Sequence, residues 1–126
     1  YDIKTFMDKY KNNKNIVLNH TQLSYKVNDC NLSAILTLKE KYNCDVSYGN
    51  HCDNLNTLYM SLCYSPSDIL FYIKNENTHW PVEYPDDKHA IGLNKVKDIT
   101  KNLKTLSGAI GKGIKEKMIN KIEKNK

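Results

Sequence analysis

The chain has 126 residues, 40% of them hydrophobic, which suffices for one core and is too little for two ordinary domains. No apolar run approaches the roughly 20 residues that a bilayer span needs, and the opening at Tyr1 without a leader reads as a mature or excised form. The formal net charge is +5, yet all 19 basic residues are lysines, so the planar guanidinium fork suited to phosphate and base edges is missing and nucleic acid is set aside as a partner.

The charge is uneven. From Ala90 onward ten lysines stand against Asp98, Glu116 and Glu123, a net of +7, whereas residues 1–89 carry a net of −2. Abundant Lys, Asn, Tyr and Ile also match an A/T-rich genome, so lysine number alone says little.

Ile3, Phe6, Met7 and Tyr10 have the spacing of one helix face and predict a helix over about 2–12, stopped by Asn12–Asn15. Residues 16–28 alternate more than they spiral and read as extended chain. Leu32, Ile35 and Leu36 predict a helix from Asn31 to Tyr42, with Asn31 or Ser33 as a cap. Leu55, Leu58, Tyr59 and Leu62 suggest another over 53–63. Ser65-Pro66-Ser67-Asp68 reads as a helix start, with Ile69, Tyr72 and Ile73 on its buried face. A strand hairpin over about 57–74 is the competing reading, because Leu58, Met60 and Leu62 also alternate.

Asn75–His89, with Trp80-Pro81 and Tyr84-Pro85, reads as an ordered loop. The tail carries Val96, Ile99, Leu103, Leu106, Ile110, Ile114, Met118 and Ile122 as one apolar stripe among lysines. A continuous helix over it would be about 45 Å long, against roughly 35 Å for a globule of this chain length. It therefore projects or breaks, and Gly108, Gly111 and Gly113 mark the break.

Four cysteines, Cys30, Cys44, Cys52 and Cys63, lack any Cys-x-x-Cys pair, which favours disulfides over zinc and places the chain in an oxidising, extracellular setting. On the helical reading, Cys30 and Cys44 lie about 21 Å apart and Cys52 and Cys63 about 16 Å apart, beyond the roughly 7 Å that a bridge allows. An antiparallel helix pair instead joins Cys30 to Cys63 and Cys44 to Cys52.

His51-Cys52 resembles a base and nucleophile, but adjacent side chains seldom face each other and a bridged Cys52 is inert. Neither a metal site from Cys44, His51, Cys52 and Cys63 nor a catalytic use of Glu83, Asp86 and Asp87 has support in the spacing. Gly111-Lys112-Gly113 fits neither a P-loop nor a KH-type glycine loop.

The expectation is thus one mainly α, disulfide-bonded domain. Residues 1–92 form the body, with an antiparallel helical hairpin. Residues 93–126 form a lysine-rich amphipathic helix of the same domain. No catalytic residue, cofactor or metal is assigned. The leading function is a secreted, non-enzymatic module that binds another protein through exposed Tyr48, Tyr64, Trp80 and Tyr84. A second is a membrane-surface protein holding anionic lipid through Lys101, Lys104, Lys112, Lys115, Ile110, Ile114 and Met118. A third is a helical carrier of a small apolar ligand.

Overall fold

The computed structural model describes residues 2–10, 13–76 and 88–115. In chain order these form α1 (Ile3–Tyr10), β1 (Val17–Thr21), α2 (Ala34–Tyr42), β2 (Asp45–Gly49), α3 (Asn56–Ser61), β3 (Ile69–Leu70), β4 (Ile73–Lys74), β5 (Ile91–Gly92) and α4 (Leu93–Ser107).

The sheets are parallel. One has the order β1-β2-β3 and the other pairs β4 with β5. Parallel neighbours cannot be joined by a tight turn, so α2 carries the chain from β1 to β2 and α3 carries it from β2 to β3. This α/β arrangement replaces both the mainly helical fold and the strand hairpin over 57–74. In place of that hairpin stand α3 and two short strands that run parallel to their partners.

The local reasons are specific. Helix α2 buries Ile35 completely and stops where Asn43 turns left-handed (φ 48°) and returns its N–H to the Lys39 carbonyl at 2.8 Å. Strand β2 starts two residues later. Val46 through Asn50 are all buried, as in a strand covered on both faces. Hydrophobic side chains of β1, β2 and β3 (Leu18, Val46, Tyr48, Ile69) pack with Ile35 and Leu58 in the core. On the other face Ser47 bonds to Asn19 at 3.0 Å and Thr21 donates to the Gly49 carbonyl at 2.9 Å. A Cβ at Gly49 would meet Asn19 and Thr21 at 3.0–3.2 Å, so the close approach of β1 to β2 leaves a tight fit there for any larger residue.

The supposed helix start at Ser65 is instead a turn. Ser65 adopts φ 50° after a short 3-10 segment, and the following residues run alongside β2. Ser67 N–H donates to Val46, Tyr48 N–H to Asp68 and Asn50 N–H to Leu70, each at 2.9 Å.

All four cysteines are free thiols. Cys44 and Cys52 flank β2 at opposite ends, and a five-residue strand is about 16 Å long. They are too far apart to bridge. Cys63 is exposed while Cys30 is buried in the core, so that pairing is not formed either. The oxidising compartment inferred from bridges loses its basis.

Helix α4 ends at Ser107, at the glycine cluster. A 3-10 turn follows, then Gly111 and Gly113 with φ of 66° and 71°. The stripe is divided accordingly. Ile99 is buried and Val96 and Leu103 pack on the core, while Leu106, Ile110 and Ile114 are exposed. Lys101 and Lys104 lie on α4, and Lys112, Ile114 and Lys115 come after it, so no continuous helix carries the proposed lipid face. Met118 lies outside the described residues. No helix among the described residues is long and apolar enough to cross a membrane.

Candidate functional site

Parallel α/β sheets place ligands beyond the carboxyl ends of their strands, where strand-end residues and the following loops converge. In this chain the carboxyl ends of β2 and β3 meet the segment that leads into β5, and residues distant in sequence come together there. His51 lies just past β2, Tyr72 lies between β3 and β4, and His89 precedes β5. The His51 and His89 rings have centroids 4.4 Å apart. Tyr72 meets each edge-on, at 5.4 Å from His51 and 5.1 Å from His89. Tyr25, from the β1–α2 connection, lies 5.6 Å from His89 and has the Lys88 ammonium 5.5 Å from its ring centroid. His89 is buried, His51 is half-buried and Tyr72 is exposed, so His51 and Tyr72 present the accessible side with His89 behind them.

A buried hydrogen-bond network fixes His51 from beneath. Tyr48 Oη donates to Asn50 Oδ1 at 3.0 Å, Thr57 Oγ1 donates to the same oxygen at 3.1 Å, and Asn50 Nδ2 donates to the Cys52 carbonyl at 2.9 Å. Asn50 is therefore tied on both sides of the residue that presents the imidazole. His20 belongs to the supporting layer. It is buried and stacked 6.4 Å from Tyr48, and its Nε2 donates to the Cys30 carbonyl at 3.0 Å, which sets its tautomer because a carbonyl can only accept.

Beside this network, Cys52 Sγ donates to the Tyr25 carbonyl at 3.3 Å and Cys30 Sγ to the Lys26 carbonyl at 3.7 Å. Burial pushes the Cys30 thiol up to about 11, and the neighbouring Cys52 thiol adds to the rise. Burial also raises Tyr48 above the ordinary phenol value. Both are acids held neutral by folding; the Cys30 contribution to stability is complete below about pH 9 and is lost as pH rises through about 11, while that of Tyr48 is lost only at higher pH. The urea midpoint is expected to fall between about pH 8 and about pH 10.5, and less so in Cys30→Ala. A midpoint equally steep with pH in Cys30→Ala would exclude that thiol as a source.

The residues singled out from sequence do not gather in this cluster. Tyr48 is 2% exposed and props the site from within, so it is no surface anchor. Tyr64 is half-buried against the core. Trp80 and Tyr84 lie outside the described residues. The His51 and Cys52 side chains diverge, one toward Tyr72 and His89, the other toward the Tyr25 carbonyl. Among the described residues no three His, Cys, Asp or Glu side chains are placed to hold a metal ion. What sequence reasoning missed is the pairing of His51 with His89.

At the other end of the strands an open groove of about 490 Å³ is lined by Met7, Tyr10, Lys14, Lys41, Tyr42 and Cys44, among others.

Comparison with known proteins agrees with the parallel architecture. The chain is similar to the N-acetylneuraminic acid (sialic acid) synthetase of Leptospira borgpetersenii serovar Hardjo-bovis, solved in complex with citrate. The TM-score is 0.78 and the identity 22%, over 97% of this chain and 43% of that one. It is also similar to a putative spore coat polysaccharide biosynthesis protein E of Chromobacterium violaceum, with a TM-score of 0.69 and 13% identity over 96% of this chain and 35% of that one. The chain thus spans less than half the length of either. No curated protein matches. The NeuB family model matches residues 2–115. This match overturns the non-enzymatic interaction module, along with the membrane-surface and apolar-carrier readings. Matched by that model over nearly its whole length, the chain belongs to the NeuB family.

Proposed function

We propose that this chain contributes strand-end residues to a NeuB-type biosynthetic enzyme, and that the His51–Tyr72–His89 cluster binds a carboxylate-bearing sugar. The observation that carries the reading is the 4.4 Å contact between two imidazoles, His51 at the carboxyl end of β2 and His89 in the segment leading into β5. Imidazole N–H groups donate to carboxylates and exchange protons near neutral pH. The Tyr72 hydroxyl suits a sugar hydroxyl, and Lys88 adds positive charge at the rim. The two small molecules named with the Leptospira protein, N-acetylneuraminic acid and citrate, are both carboxylates.

Titration of the chain with N-acetylneuraminic acid, followed through the histidine ring-proton resonances, tests this. The His51 signal is expected to move saturably, His89 to follow, and the buried His20 to stay still. A neutral hexose is expected to leave all three in place. Equal responses to both sugars, or none to either, would remove the reading.

A further inference from the structure

Two buried thiols converge beside the cluster without a role in it. Cys30 comes from the connection after β1 and Cys52 from the segment after β2, and they are 7% and 1% exposed. Both point at one stretch of backbone, with their sulfurs hydrogen-bonded to the consecutive carbonyls of Lys26 and Tyr25. Cys52 is also close enough to Cys30 to help raise its thiol. We infer that Cys30 and Cys52 form a reversible thiol pair that closes to an intramolecular disulfide when the protein meets a low-molecular-weight disulfide.

This differs from the pairings expected from sequence, since its resting state is the free dithiol and its partners are set by the parallel strands. The exchange balances in two steps. Local opening of the Gln22–Asp29 segment first exposes Cys30 to water; its thiol then loses a proton to solvent, and the thiolate attacks the small disulfide, forming a mixed disulfide and expelling one small thiolate. The Cys52 thiolate then attacks the Cys30 sulfur and expels the second, so the two protein thiols are oxidised and the small disulfide is reduced to two thiols. Access comes from the segment Gln22–Asp29, which is exposed at every residue but Ser24 and is held over the thiols through the Tyr25 carbonyl. Closure ties that segment to the end of β2 and so fixes Tyr25 relative to His51. That last consequence rests on the proposed site, whereas the cross-link itself does not.

The test uses a Cys44→Ser, Cys63→Ser chain, in which Cys30 and Cys52 are the sole thiols. It is incubated folded with oxidised glutathione, then alkylated in denaturant and weighed. The expected product has lost two hydrogens, carries no adduct, takes up no alkylating agent and yields a Cys30–Cys52 peptide. Adding Cys52→Ser is expected to arrest the reaction at a glutathione adduct on Cys30. Two alkylatable thiols after incubation, or a stable adduct on either thiol while both are present, would overturn the pairing. Because the readout is mass, it stands or falls independently of any sugar binding.

Discussion

Replacing Asn50 with alanine is expected to lower the unfolding free energy by about 3 kcal/mol, a large loss for a single polar side chain. Asn50 is 1% exposed and serves three groups at once. Thr57 keeps a second acceptor in the Asn54 carbonyl, at 2.8 Å. The Tyr48 hydroxyl and the Cys52 carbonyl would each lose the bond that the Asn50 amide makes to them, and a buried polar group left without a partner costs about 1–3 kcal/mol. Urea denaturation at neutral pH measures the difference. A loss under about 1 kcal/mol would mean that water enters and replaces the amide. Asn50→Asp is a useful contrast, since it keeps the acceptor for Tyr48 and Thr57 while removing the donor to Cys52 and burying a charge.

His51→Ala should do the reverse, leaving the fold nearly intact and weakening the proposed sugar binding. The ring is half-buried and joins the cluster through ring contacts, so its loss is expected to cost the fold about 1 kcal/mol or less. A hydrogen bond to a charged group is worth about 1.5–3 kcal/mol, which corresponds to a loss of roughly 10- to 100-fold in affinity for N-acetylneuraminic acid. Calorimetric titration of the folded variant supplies the number. Tyr72→Phe keeps the ring edges against both imidazoles and is expected to weaken binding less. If Tyr72→Phe matched His51→Ala, the phenol rather than the imidazole would be the principal contact. If neither changed affinity, the acid would be bound elsewhere.

The elements legible in the sequence are those whose apolar spacing is their own. Ile3–Tyr10 and Ala34–Tyr42 form helices close to their expected bounds, Val17–Thr21 is extended, and α4 stops at the glycines. Strand β2 is hidden for a physical reason. A parallel strand covered on both faces usually reads as a continuous apolar run, and this one interrupts it with polar or small residues at Ser47, Gly49 and the adjoining Asn50. Between two cysteines it imitates a loop, and the false disulfide hairpin follows from that. Ser65-Pro66-Ser67-Asp68 misleads differently. Its cap chemistry is genuine in isolation, but the edge of β2 offers the next residues three backbone hydrogen bonds, and a helix would forgo them. The imidazole pair is illegible because 38 positions separate His51 from His89, and only the sheet brings them together.

The parallel pairing of β1 with β2 also governs how quickly the protein can form. Every partner pair in that ladder, from Val17 with Asp45 to Thr21 with Gly49, is separated by 28 positions. No short hairpin can start the sheet, so the chain must close a long loop before its first inter-strand bond is made. Helix α2 shortens the search by contracting the connection, but it is only nine residues long and marginal until it packs. Refolding is therefore expected to be slower than for a helical bundle of the same length, with its barrier at the docking of α2 against the paired strands. Substitutions at Ile35 or Val46 would then slow folding, whereas those at Ile99 on α4 would mainly hasten unfolding.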